Sequence, residues 1–274
     1  MSLSGPPQTA RNGWLARRMR ELLAHPLARE LDLDAPEATA AHATLIREKP
    51  FLRRLYVRYY QEYESTIARA SPGGLAVEIG SGGGFYREIR PSVLSLDVRP
   101  GADVDVVASA LRLPFKSRSA SAVLLLNVLH HLPDAAAFFR ECERILKPGG
   151  RVCLIEPYAG PLSRRLVRPL HHEPWDETGD WTLPDSGPLT GANMALPSIV
   201  FFRDRARYDR EFPHLPVAAL RLHTIALYLL SGGVSMRSLL PGALFAPLYF
   251  LERLLLAPAA PLLASMMTVE LVKR

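Results

Sequence analysis

Residues 76–84 read Ala76-Val77-Glu78-Ile79-Gly80-Ser81-Gly82-Gly83-Gly84. A short apolar run carries an acid, Glu78, and then glycines fall at the alternating positions 80, 82 and 84. Glycine at that spacing lets the chain turn sharply after a strand and come into contact with a ligand. A dinucleotide fingerprint needs Gly-x-Gly-x-x-Gly, whose third glycine lets helix and strand pack closely. Here the third place falls on Phe85, so that pattern is poorly met. A ligand loop of another kind, or a Gly-rich surface turn, remains.

The flanking sequence favours the ligand loop. Ser92–Val98 reads as a second strand, and Asp97 near its end lies nineteen residues after Glu78. An acid about twenty residues beyond a glycine loop is where doubly wound folds hold ribose hydroxyls, since a carboxylate accepts from both. Val104–Phe115 follows, containing Ser109-Ala110-Leu111 before Leu113-Pro114-Phe115. Ser121–Leu132 is an apolar run ending in Asn127-Val128-Leu129-His130-His131-Leu132. Arg144–Glu156 closes a helix, turns at Pro148-Gly149-Gly150 and starts another strand.

In this order the four segments resemble the class I S-adenosylmethionine-dependent methyltransferases. They are most similar to the small-molecule branch that includes the ubiquinone/menaquinone-biosynthesis enzymes. The resemblance covers roughly residues 75–157. It implies an α/β fold: a Rossmann-like seven-stranded sheet with helices on both faces, its seventh strand antiparallel between the fifth and sixth. It also implies S-adenosyl-L-methionine as cofactor. Gly80, Ser81, Gly82 and Gly84 would pass under the methionine part, with Glu78 fixing the loop or the ammonium. Asp97 would take the ribose, with Val98 beside the adenine and Ala110 and Leu111 on its edge and face. Asn127 would offer backbone to the methionine end. The branch usually carries Asp-Ala before its Leu-Pro-Phe; here Ser109 stands in the acid's place, a hydroxyl without charge and hence a weaker contact.

A sulfonium is already an excellent leaving group, so such an enzyme works mainly by proximity and orientation. Neither a nucleophilic side chain nor a metal is required, and no Ser-His-Asp or Cys-His arrangement is evident. Candidates for a general base are His130 and His131, after the fourth strand, and His171 and His172, in the cluster His171-His172-Glu173-Pro174-Trp175. A metal at His171-His172-Glu173 is disfavoured because adjacent histidines rarely point to one centre. Adenine methyltransferases and related N-methylating enzymes carry Asn/Asp-Pro-Pro-Tyr where this chain has Asn127-Val128-Leu129-His130, which counts against a nucleic-acid base, and no nucleic-acid acceptor is expected.

At 274 residues the chain has the length of one elaborated domain. Its 48% hydrophobic and 22% charged content is ordinary for a globular protein. The net charge of +6 is spread along the chain without a Lys/Arg-rich arm. Only Cys142 and Cys153 occur, in no metal-like spacing, and the amino terminus lacks an apolar signal core; both features suggest the cytoplasm.

Residues 1–70 read as a disordered start and a helical N-terminal cap, and 71–274 as the main domain, with insertions at about 157–216 and 232–265. Trp14–Ala24 has an amphipathic pattern bearing Arg17, Arg18 and Arg20. Asp34-Ala35-Pro36-Glu37 has the chemistry of a helix start. That helix should stop near Lys49-Pro50, and Phe51, Leu55, Tyr59, Tyr63 and Ile67 form the apolar stripe of the next. Val217–Leu222 and Met267–Lys273 should be the last strands.

Between those strands lie apolar runs at Leu239–Leu251 and Leu254–Val269, separated by Glu252-Arg253. Each is shorter than the roughly 20 residues a spanning helix needs. A buried helical pair, a lid over a greasy substrate and peripheral membrane contact all fit. The reading as a whole is methyl transfer to oxygen or carbon of a small or lipid-like acceptor. An RNA or protein methyltransferase and a catalytically silent donor-binding accessory protein are the alternatives.

Overall fold

The computed structural model describes residues 22–29, 31, 34–35, 37–169, 171, 173–184, 187 and 191–274. The start of the chain, with Arg17, Arg18 and Arg20, lies outside them, as do Pro36 and His172.

The sheet forms where the sequence pattern places it. Strands β1 (Leu75–Ile79), β2 (Leu94–Asp97), β3 (Val106–Val107), β4 (Ala120–Leu126), β5 (Leu146–Pro157), β6 (Val217–His223) and β7 (Met266–Val272) lie in the order β3-β2-β1-β4-β5-β7-β6. β7 runs antiparallel between β5 and β6, and the other described pairings are parallel. The near-continuous apolar run of β4 is that of a strand covered on both faces, and Ala120–Leu125 are buried. The order reverses between β1 and β4. Ligands of open α/β sheets bind at such a switch point, outside the carboxyl ends of the strands.

Helices α1 (Glu37–Glu48) and α2 (Pro50–Arg69) precede the sheet. Lys49-Pro50 divides them, since the residue before a proline avoids the helical region. The stripe of α2 is buried at Phe51, Leu55, Tyr59 and Tyr63. It packs on one face of the sheet, in one core with Leu124, Cys153 and Ile155. The short α3 (Tyr86–Ile89) follows the glycine loop. On the other face lies α4 (Ala135–Ile145), capped by Asp134, whose Oδ1 accepts from the Ala137 N–H at 2.8 Å.

Residues 157–216 divide into two parts. Helix α5 (Pro161–Leu166) opens the first part, and the chain then runs to the mouth of the sheet. Trp181, Tyr208 and Phe212, the last two on or beside α6 (Arg205–Glu211), instead join the core around Phe139 of α4.

The carboxyl-terminal apolar runs form no buried pair. After α7 (Leu227–Ser231), they join in α8 (Phe245–Leu263), which continues through Glu252-Arg253 and departs from helical backbone at Ala259. With the turn before it, the apolar stretch Gly242–Leu263 is 22 residues long, enough by length and composition to cross a membrane. Each run is too short by itself because Glu252-Arg253 reads as a boundary; in the fold Glu252 turns inward and the helix goes on.

Candidate functional site

The carboxyl ends of β1, β2, β4 and β5 open into a cavity of about 1260 Å³. Glu78, Gly80, Ser81, Gly82, Gly84, Asp97, Val98, Ser109, Ala110, Leu111, Asn127, His130, His131 and His171 all line it. A drug-sized ligand occupies a pocket of about 300–1,000 Å³. The larger space here has room for two ligands side by side.

The glycine loop is shaped by close contacts. Gly80 has φ +67°, and a Cβ there would sit 2.4 Å from a Val128 methyl. A Cβ on Gly83 would lie 2.5 Å from the Ala43 nitrogen of α1, so this glycine, absent from the sequence-derived set, lets α1 cross the loop. Asp97 braces the loop: Oδ2 accepts from the Gly82 N–H at 2.9 Å, and Oδ1 from the Arg99 N–H at 3.0 Å. Each oxygen keeps a further lone pair for a ligand hydroxyl. Arg99 in turn donates to the Ala35 carbonyl at 3.1 Å and pairs with Asp34.

Glu78 is buried on the cavity wall, and burial together with the nearby Asp97 charge pushes its pKa up to about 8. The Ser81 hydroxyl is buried there without a hydrogen-bond partner among the described residues. A buried acid beside a second acid, an unpartnered hydroxyl and a glycine cradle suit a ligand with a cationic amino group and a ribose. S-adenosylmethionine has both. Ser109 accepts from the Leu111 N–H at 3.2 Å, so its hydroxyl shapes its own turn and keeps its O–H donor and one lone pair for a ligand. Asn127 follows β4 with φ 56°, a left-handed conformation that asparagine tolerates.

At the other end of the cavity His130, His131 and His171 converge on Glu173. His130 is buried with Nδ1 2.7 Å from Glu156 Oε2 and Nε2 3.3 Å from Glu173 Oε2. Burial alone would lower its pKa, but hydrogen bonds to the two carboxylates outweigh this and raise it to about 10. His131 behaves oppositely: burial, then the His130 charge, push it down to about 4. Its Nδ1 lies 3.2 Å from the Gly191 carbonyl, which requires the proton on that nitrogen. Nε2 is then a bare lone pair, 3.6 Å from Glu173 Oε1. Burial would raise Glu173, yet His130 holds it well below the usual carboxylate range. His171 accepts from the Glu173 N–H at 3.3 Å and lies farther from the carboxylate, 3.7 Å away.

His130, His131 and Glu173 offer atoms within 4.8 Å of one another, a spacing a metal ion could bridge. Both nitrogens of His130 already face carboxylates, however, so the charged ring itself occupies the place a cation would take between them. Glu156 is the residue that sequence reasoning missed. Fully buried at the end of β5, it accepts from the Val128 and Leu129 N–H groups at 2.8 and 2.7 Å as well as from His130. An acid closing the apolar run Val152–Ile155 was the available signal for the residue, though not for its partner.

Most of the remaining wall is apolar, with Tyr56, Trp175, Met194, Ile225, Tyr228 and Met266. A roof crosses it. Ala24 bridges Met236, the His25 N–H donates to the Ser235 carbonyl at 3.0 Å, and the Arg237 N–H to the Leu23 carbonyl at 2.7 Å.

Residues 77–154 match the methyltransferase domain family. This segment is a class I S-adenosylmethionine-dependent methyltransferase domain. Among similar proteins, a probable tRNA methyltransferase 9B of Mus musculus is 24% identical, over 53% of this chain and 36% of that protein. A ubiquinone biosynthesis O-methyltransferase of Xanthomonas oryzae pv. oryzae is 28% identical, over 36% of this chain and 55% of that protein. The chain thus spans about half or less of the length of these relatives. The crystal structure of geranyl diphosphate C-methyltransferase from Streptomyces coelicolor A3(2) is 18% identical, over 98% of this chain and 100% of that chain, with a TM-score of 0.49.

Proposed function

We propose that the chain methylates oxygen or carbon of a small apolar acceptor held beside the donor, with His131 as the base. The observation that carries this reading is the single cavity that joins the glycine loop and Asp97 to the neutral His131 and an apolar wall. Bound S-adenosylmethionine supplies a methyl group already activated on a sulfonium. Glu78, Asp97 and the loop hold and orient it, while the roof and α1 exclude water. His131 Nε2 accepts the acceptor's proton, and the Glu173 carboxylate beside it stabilises the resulting imidazolium. Glu156 and the charged His130 fix the loop that presents His131. The apolar wall and the quinone-pathway relative both favour a greasy hydroxylated acceptor over a charged one.

The test is transfer of labelled methyl from S-adenosylmethionine to a panel of alkylated phenols, quinols and hydrophilic controls. Methylation of the apolar phenols is expected. Donor binding by calorimetry with no transfer to any of them would favour the accessory-protein reading.

A further inference from the structure

A surface helix of a water-soluble domain turns its leucines inward and its charges outward. Helix α8 does the reverse. Its inward seam is Phe245, Glu252 and Leu256. Outward stand Phe250 (64% exposed), Leu251 (49%), Leu254 (57%), Leu255 (48%) and Leu262 (60%). The only charge on that outer face is Arg253, for the helix's one acid is the buried Glu252. Single exposed apolar side chains are commonplace, whereas a row of them marks an interaction surface. The row continues past the helix: the Tyr158 hydroxyl donates to the Pro261 carbonyl at 3.3 Å, and its ring packs on Phe202, itself 42% exposed.

The flank of this face is basic. Ser163 of α5 donates to the Ala264 carbonyl at 3.3 Å, which sets α5 beside the end of α8. Arg165 and Arg168 are exposed there, next to the exposed Leu166. A protein–protein interface has an apolar core within a rim of mixed polarity. An apolar stripe flanked by arginines is instead the pattern of a helix lying in an anionic lipid interface.

Length alone would let this helix span a bilayer, but its attachments do not. The Phe245 ring meets Phe51 at 5.3 Å, and the Arg58 guanidinium sits 4.5 Å over Tyr249. Glu252 accepts from the N–H groups of Ile225, Ala226 and Leu227. The paired ends His223 and Met266 return the insertion to one place on the sheet. Spanning would break every one of these contacts; lying flat breaks none.

We propose that the outer face of α8 docks on anionic membranes, the helix in the interfacial plane and Arg165 and Arg168 toward lipid phosphates. Ile225 lines the cavity and is held to α8 through Glu252, as is Leu227 at the start of the helix that carries the cavity residue Tyr228, so docking brings the apolar end of the cavity to the lipid. This delivery of an acceptor rests on the methyl-transfer reading; the docking does not.

Flotation of the full chain with vesicles of phosphatidylcholine, alone or mixed with phosphatidylglycerol, tests it. The protein should float with the mixed vesicles, more weakly with the neutral ones, and be released by alkaline carbonate. The double variant L251E/L254E should partition roughly 100-fold less, about tenfold or more per leucine withdrawn from lipid. Its S-adenosylhomocysteine affinity and melting temperature should match the parent, because both side chains are exposed. R165E/R168E should lose the preference for the anionic vesicles. Failure of the parent chain to float with anionic vesicles, or undiminished flotation of L251E/L254E, overturns the proposal. So does a stable dimer in light scattering that the same double variant dissociates, since a second copy would then cover the face.

Discussion

His130 and His131 are adjacent in sequence and carry the same ring, yet their surroundings drive them to opposite charge states. Two carboxylates clasp His130 and hold it protonated, while burial next to that charge keeps His131 neutral. The neutral form of His131 is needed to accept a proton, so activity should hold above its lowered value and fall as pH drops through about 4. Replacing His131 with Ala should reduce kcat by roughly 10²–10⁴-fold, the usual worth of a positioned base, with donor affinity unchanged. Steady-state kinetics paired with calorimetry would check both halves; an unaltered kcat would remove His131 from the reaction. Asp97→Ala should act on the other term. It leaves the Gly82 N–H unpaired and removes the acceptor for ribose hydroxyls, so donor binding should weaken by about 1–3 kcal/mol in calorimetry. Both residues could be marked from sequence because local backbone chemistry demands them: an acid at a strand end, a polar turn after β4. The Glu156–His130 clasp could not, since it joins the ends of two neighbouring strands across 26 residues and leaves no local periodicity.

Helices and strands were legible where one face is apolar and the other is not. The stripe of α2 and the alternation of β7 follow that logic, whereas the antiparallel direction of β7 is what the family resemblance implies. Helix α8 is hidden in the sequence because its apolar residues encircle it and its charges look like a break. Glu252 shows why they are not one. Its carboxylate answers three N–H groups at the start of α7, the orphan donors every helix has at its amino end. That contact fastens α8 to the roof of the cavity, and its value is testable apart from lipid. Glu252→Ala should cost about 1.5–3 kcal/mol in urea unfolding, the range for hydrogen bonds to a charged group. Leu254→Ala, on the exposed face of the same helix, should change stability by less than about 0.5 kcal/mol. Equal effects would mean that α8 is held by its outer face instead.

The molecule closes its cavity with segments from both ends of the chain, and one side chain fastens them. Lys49, the residue that divides α1 from α2, is buried and donates to the carbonyls of Gly233 and Met236 at 2.5 and 2.7 Å. Met236 is also the bridge partner of Ala24, so the lysine ties the 22–28 segment, the 232–237 turn and the helical cap into one roof. A contact across 184 residues between a lysine and two carbonyls has no signature in the sequence, where Lys49 reads only as a helix end. Burial lowers its pKa to about 8. The unfolded chain, with an ordinary lysine near 10.5, therefore holds the proton more tightly between those two values. The cost of burying the charge is fully present below about pH 8 and is relieved as pH rises toward 10.5, so stability should climb over that interval. Lys49→Met fills the space but leaves two carbonyls without their donor, at roughly 1–3 kcal/mol. The variant should lose the alkaline rise in its urea midpoint, become sensitive to protease at residues 232–237, and show a higher KM for the acceptor than the parent. An alkaline rise that persists in Lys49→Met would assign the titration to another group, and an unchanged protease pattern would mean that the roof closes without its lysine.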